Sequence, residues 1–233
     1  MKDTYKINIA EDFSTVLGGR FKHEGSYSGK VFRDNILMPV YGQAFLNNNK
    51  IEINLDRCYG YPPSFIEEVF GGIVRKTKDT NIIDMFIFIS EDLELINKIK
   101  QIMLLEIIKL INNKNKLFLL WESRLVQRYI IIGELCKYTN GYIFKYSDDI
   151  EFAIDNCFSL LLPFKNKKEI YTSEKLFPIF KNRLPDKNRK DIDNILKKYN
   201  LKKYDEFEIL KFGTQLPIDN LKFIEKDVYL QKK

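Results

Sequence analysis

The chain has 233 residues, 45% of them hydrophobic and 30% charged, with a formal net charge of +6; this excludes wholesale disorder and allows a packed core without covalent staples. Cys58, Cys136 and Cys157 are odd in number and far apart, and His23 is the only histidine. A structural zinc site, which needs about four closely spaced Cys/His ligands, is therefore excluded, neither metal nor cofactor is expected, and a reducing cytoplasm is.

Residues 1–10 contain no apolar signal core, and the most apolar window, 82–89, is too short to span a bilayer and carries Asp84. Residues 5–9 alternate like a strand, a helix is expected over 29–45, and 51–55 alternates again. Phe65, Ile66, Val69, Phe70 and Ile73 give 64–76 a helical face. The apolar run 81–90 reads as a strand with both faces covered. Ser90 is placed as the cap of a helix reaching 112, with Glu91 and Asp92 in its first turn, where the helix dipole favours anions.

Alternating strands and helices imply a sheet packed by helices. The polar run 112–116 breaks that pattern, so the boundary between two domains, 1–113 and 114–233, is placed there. Beyond it, 117–121, 129–135 and 142–146 read as successive strands, with Asn140-Gly141 as a hairpin turn. A further strand is expected over 158–162. Helices are expected over 173–183, 187–199 and 205–212, the last opened by a capping box of Asp205 and Glu208. The whole reads as an α/β domain followed by a small α+β domain.

Two stretches resemble known families. Leu17-Gly18-Gly19-Arg20, Gly25 and the run from Ser28 to Arg33, followed by Tyr61-Pro62-Pro63-Ser64 through Ile73, resemble a bacterial STAS-like domain family of unknown function over residues 5–112. STAS domains are the fold of anti-sigma-factor antagonists, in which a serine opening a helix is phosphorylated by a partner kinase; by position, the resemblance assigns that role to Ser64, although Pro62 and Pro63 depart from the antagonist pattern. Read from the residues alone, Ser64 and Glu67 form the Ser-x-x-Glu of a helix N-cap. Ser28-Gly29, with Arg20 and Arg33, reads either as a helix start presenting amides to a phosphate or as a capped helix with ordinary surface arginines; the Lys-Ser/Thr ending of a P-loop is missing. His23 has no neighbour in sequence to form a nucleophile pair with.

The second resemblance covers 124–228. Arg128 through Leu135, Gly141 through Tyr146, Ser159 through Phe164, Leu176 through Pro185, and Phe207 with a glycine stop at Gly213 follow in the order found in the first N-terminal subdomain of HipA-type toxin kinases. Only that subdomain is covered. The kinase core, with the positioned groups and metal ions phosphoryl transfer requires, is not recognised. In split systems of that family a free-standing copy of the subdomain accompanies and restrains a separate kinase. The resemblance thus implies a non-catalytic, antitoxin-like subunit of a toxin–antitoxin or defence system whose partner is a HipA-like serine/threonine kinase. The alternative is a phospho-switch adaptor under an ATPase or kinase partner, and a third reading is an enzyme acting on a phosphorylated ligand at Arg20, Ser28 and Arg33. Trp121 reads as a core or inter-domain anchor or as a partner contact. Asn182 and Arg183 read as partner contacts, or as part of a helix stop before Leu184-Pro185. The basic stretch 181–203 reads first as a solvated face, next as a dock for an acidic partner. Contact with DNA is expected to be weak at most, or indirect through a helix-turn-helix partner.

Overall fold

The computed structural model describes residues 4–212 and 220–231; the glycine stop at Gly213 lies outside the described residues. The chain divides into two compact units, Met1–Leu110 and Ile111–Lys233.

The first unit is built on three parallel strands, β1 (Thr4–Asn8), β2 (Lys50–Asn54) and β3 (Phe86–Ile89), in the order β1-β2-β3. Helix α1 (29–47) joins β1 to β2, α2 (63–77) joins β2 to β3, and α3 (Leu93–Leu110) follows β3. The register places Tyr5, Ile51 and Phe86 side by side, then Ile7, Ile53 and Phe88. These six form the covered face: Ile7, Ile51 and Ile53 are buried, and Phe88 packs edge-on to Phe70 of α2 at 5.5 Å. The alternate residues Lys6, Glu52 and Ile87 share the other face, where Ile87 is 40% exposed.

Two expectations need correction here. The run 81–90 is not one strand covered on both faces. Ile82–Met85 forms a 3-10 turn, and only Phe86–Ile89 pairs, at an open edge with Ile87 and Ile89 exposed. Ser90 does not cap α3. Asp92 does, its Oδ1 accepting from the Leu95 amide at 2.9 Å, while Ser90 Oγ accepts from the Asp92 amide. Each of α1 and α2 also contains a π turn, Arg33–Leu37 and Glu67–Gly71, which hydrophobic periodicity did not signal.

The second unit is a five-stranded antiparallel sheet in the order β7-β6-β5-β4-β8. Its strands are β4 (Lys116–Ser123), β5 (Arg128–Tyr138), β6 (Gly141–Tyr146), β7 (Ile170–Ser173) and β8 (Leu221–Glu225). Short helices α4 (Ile150–Asp155), α5 (Pro178–Lys181), α6 (Ile192–Lys198), α7 (Glu206–Leu210) and α8 (Lys226–Gln231) complete it. Phe144 stacks on Phe164 at 4.3 Å, and Phe180 packs edge-on to Phe223 at 5.1 Å, in a core that also buries Leu117, Ile132 and Phe207.

Tyr138 pairs with Gly141, so the β5–β6 loop is Thr139-Asn140, and the glycine of the expected turn is the first residue of β6. Gly141 has φ +151, and a Cβ there would lie 2.2 Å from the Ser173 carbonyl oxygen on β7; glycine meets both demands. Residues 158–162 are not a strand. Pro163 has no amide to give a ladder, and the Leu161 amide bonds instead to Tyr146 Oη at 2.9 Å. Asp205 caps α7 through the amides of Phe207 and Glu208, but Glu208 turns to Lys211 at 2.9 Å rather than closing a capping box. β7, β8, α4 and α8 were not expected from the sequence, and the helix expected over 173–183 is confined to Pro178–Lys181, with Ser173 ending β7.

Candidate functional site

The residues read as a phosphate site do come together, but around carboxylates. Residues 18–20 run beside 27–30: Gly29 N bonds Gly19 O at 2.9 Å and Lys30 N bonds Arg20 O at 3.0 Å. The first amides of α1 are thereby used. Ser28 is the N-cap residue and fully buried, yet its side chain makes no capping bond and its Oγ has no hydrogen-bond partner.

Arg20 Nη2 lies 2.6 Å from Glu67 Oε2, and Arg75 Nη1 lies 2.5 Å from Glu67 Oε1 and 3.3 Å from Glu106 of α3. Arg33 is buried. Its Nη1 donates to the Glu68 carboxylate and, at 3.1 Å, to the Glu68 carbonyl, while its Nε donates to Asp34 at 3.0 Å. The two π turns carry the central pair, Arg33 on one and Glu68 on the other. A Cβ on Gly72 would fall 2.5 Å from Arg33 Nη1, so the glycine leaves the guanidinium its berth. The expectation of a phosphate held by Arg20, Ser28 and Arg33 is thus corrected: the guanidinium groups and helix amides are already matched by acceptors of the chain. Burial alone would push the Asp34 carboxyl up, but hydrogen bonds from Arg33 and Lys76 outweigh it and hold the group below its ordinary range.

Ser64 occupies the second position of α2 and is half-buried; the N-cap is Pro62, whose carbonyl accepts from the Phe65 and Ile66 amides at 3.0 and 3.2 Å. Ser64 as the N-cap is therefore corrected. Pro63, pre-set for the first helical position and lacking an amide, starts the helix one residue earlier.

Sequence reasoning missed a cleft of about 750 Å³ beyond the carboxyl ends of β2 and β3, lined by Asp56, Arg57, Tyr59, Ser90, Glu91 and Lys98 among others. Asp56 Oδ1 accepts from Ser90 Oγ at 2.9 Å and from the Glu91 amide at 3.1 Å, tying the two strand ends together. Arg57 holds φ +69 and Tyr59 is 88% exposed. Open α/β sheets bind ligands at this end. In the wall of the cleft, Tyr61 Oη donates to the Leu55 carbonyl at 2.8 Å and lies 3.4 Å from Cys58 Sγ. Burial raises the pKa of both groups, which keeps the thiol protonated at neutral pH. The signal was the polar run Asp56-Arg57 directly after an expected strand.

In the second unit, Trp121 is half-buried on β4 against Phe158 at 5.3 Å, and Asn182 is exposed at the end of α5. Arg183 is only 6% exposed, and its Nη1 donates to the Leu221 carbonyl of β8 at 3.1 Å. Its expected role as a partner contact is corrected: it joins α5 to β8 inside the unit. An apolar patch lies elsewhere, at the β4–β5 hairpin, where Leu125 is 66% exposed beside the exposed Val126 and Tyr129. Phe152, 40% exposed, lies under Arg128 at 4.9 Å, and Lys222 Nζ stands 3.3 Å over the Tyr129 ring. Leu125-Val126 between two strands, where a turn is normally polar, was the available signal.

An α/β unit with a parallel sheet, followed by an antiparallel unit with short helices, defines a two-part chain whose halves are separately recognisable. Residues 28–95 match the family model of a STAS-like domain of unknown function, and residues 126–217 match that of the HipA N-terminal domain. Both spans lie inside the stretches whose residues resemble those families, and together they relate the chain to toxin–antitoxin proteins. Neither matched model is a catalytic kinase domain. A search of the curated proteins gave no match. Among the described residues no helix is long and apolar enough to cross a membrane, and no three His, Cys, Asp or Glu side chains group to hold a metal ion.

Proposed function

We propose that this chain is a non-catalytic, antitoxin-like regulatory subunit that binds a separately encoded HipA-like serine/threonine kinase through its second unit, while the STAS-like unit engages a further partner. The observation that carries this reading is the match of 126–217 to the HipA N-terminal domain. The exposed Leu125, Val126 and Tyr129 supply an apolar centre, with Arg128 and Lys222 at its rim. Tyrosine in such a setting is a frequent binding hot spot.

The test is co-expression of the tagged chain with the HipA-like kinase encoded beside it. A stable complex is expected, with Leu125→Glu plus Tyr129→Glu weakening it by about thirtyfold or more, the loss of roughly one hot spot of about 2 kcal/mol. Isolation of the folded chain free of kinase under these conditions would remove the proposal.

A phospho-switch at Ser64 is kept as a second reading because the hydroxyl has no capping duty. It lies one helical turn before Glu67, which holds Arg20 at 2.6 Å. A phosphate of charge about −1.5 to −2 would compete with Glu67 for Arg20 and repel Glu67 and Glu68. Ser64→Asp and Ser64→Ala are expected to shift the STAS-like unit's partner affinity in opposite directions by about five- to tenfold, measured by calorimetry against the captured partner. Equal affinity of all three forms would eliminate the switch.

A further inference from the structure

Six lysines, Lys187, Lys190, Lys197, Lys198, Lys202 and Lys203, flank or end helix α6 of the second unit, and all are exposed. Among the described residues none of them lies within 4.0 Å of a carboxylate. Neighbouring cations behave otherwise: Lys137 pairs with Asp205 at 2.9 Å, Lys181 with Glu206 at 3.2 Å, Lys211 with Glu208 at 2.9 Å, and Arg189 with Asp191 at 2.5 Å. Asp186 and Asp193 are the remaining acidic residues of the stretch 186–203, so a net positive charge persists there.

The surface has no apolar centre. Ile192, Ile195, Leu196 and Leu201 are half-buried beneath it, and from 186 to 212 the one large hydrophobic side chain exposed among the described residues is Phe212, stacked on Tyr199 at 4.2 Å. A stable protein interface needs an apolar core inside its polar rim; a polyanion does not. Helix α6, with seven residues, is about 10 Å long, and duplex DNA presents roughly six charges over that length, at one per about 1.7 Å.

We infer that the lysine surface of residues 187–203 docks the phosphate backbone of duplex DNA, without reading base sequence. This goes beyond the kinase reading and does not depend on it. Lysines acting as point charges give affinity through counterion release and no direct sequence information.

The test is fluorescence anisotropy of the full chain with a 30-base-pair duplex of arbitrary sequence, between 50 and 200 mM salt. Binding is expected with a log–log salt slope of about −4 to −5, corresponding to about −0.9 for each of four to six neutralised phosphates. The variant K187Q/K190Q/K197Q/K198Q/K202Q/K203Q should keep its thermal melt, lose affinity at least tenfold at 50 mM salt and flatten the slope to about −1 or less. A control of equal net charge, K6Q/K22Q/K30Q/K78Q/K100Q/K114Q, should bind like the parent. Failure of the parent to bind, equal loss by both variants, or equal affinity for a single strand would overturn the inference. So would tighter binding of labelled poly-glutamate than of the duplex, which would assign the surface to an acidic protein.

Discussion

Glu68→Ala is expected to lower the stability of the first unit by about 3–5 kcal/mol, a large part of the roughly 5–15 kcal/mol a domain possesses. Glu68 and Arg33 have side-chain exposures of 9% and 10%, so water screens neither well. The guanidinium cannot shed its proton to escape burial. Without the Glu68 carboxylate it keeps only Asp34 and one carbonyl, a poor match for five donors. Arg20 and Arg75, about 40% exposed, pair with Glu67 in reach of solvent, and Arg20→Ala should cost no more than about 1 kcal/mol. Arg33→Met combined with Glu68→Leu removes both charges at similar volume and should recover most of the loss. Urea unfolding followed by circular dichroism measures all of these. The only tryptophan, Trp121, reports the second unit separately by fluorescence. A Glu68→Ala transition at the parent midpoint would show the pair to be energetically idle. Acid adds a check of sign. Asp34 has a folded pKa below its ordinary 3.8, so its contribution is complete above that value and disappears as pH falls through the lower, folded one.

What the sequence revealed and what it hid follow one rule. Where a periodic pattern and a neighbouring surface agreed, as in β1 and β2, the element was legible, because alternation with period two has a single structural meaning once one face is buried; β5 and β6, buried along most of their length, were legible through the Asn140-Gly141 turn signal between them. The apolar run 82–89 was not: a short unbroken run fits a buried helical turn as well as a strand, and here Ile82–Met85 is the turn and Phe86–Ile89 the strand. Both family resemblances were legible as ordered strings of residues, independently of periodicity. Site residues were the least legible. Arg183 follows an exposed Asn182 and reads as surface, yet its role depends on the Leu221 carbonyl, 38 residues away. The arginines read as phosphate ligands meet Glu67 and Glu68 only because α1 and α2 pack together, with Gly29 against the Phe65 carbonyl. The cleft beside Asp56 required the two strand ends to be brought together, which no local pattern encodes.

Two tyrosines of the second unit test how far burial decides the worth of the same bonds. Tyr146 Oη donates to the Phe164 carbonyl and accepts from the Leu161 amide, each at 2.9 Å, and holds residues 161–164 against β6 in place of the strand expected there. Tyr171 Oη donates to the Asn166 carbonyl at 3.0 Å and accepts from its amide at 2.7 Å. Tyr146 and Leu161 are both buried, whereas Asn166 lies at an exposed turn. Removing the Tyr146 hydroxyl strands a donor and an acceptor that water cannot reach, each costing about 1–3 kcal/mol; removing that of Tyr171 leaves groups that water can serve. Tyr146→Phe is therefore expected to destabilise the second unit by about 2–4 kcal/mol and Tyr171→Phe by less than about 1 kcal/mol. Burial pushes the Tyr146 phenol up to about 12, so the donor persists across the ordinary pH range and the difference should not change between pH 6 and 9. Trp121 fluorescence in a urea titration reads both variants; equal losses would mean that solvent reaches the 161–164 segment, and that the Tyr146 bonds do not hold it.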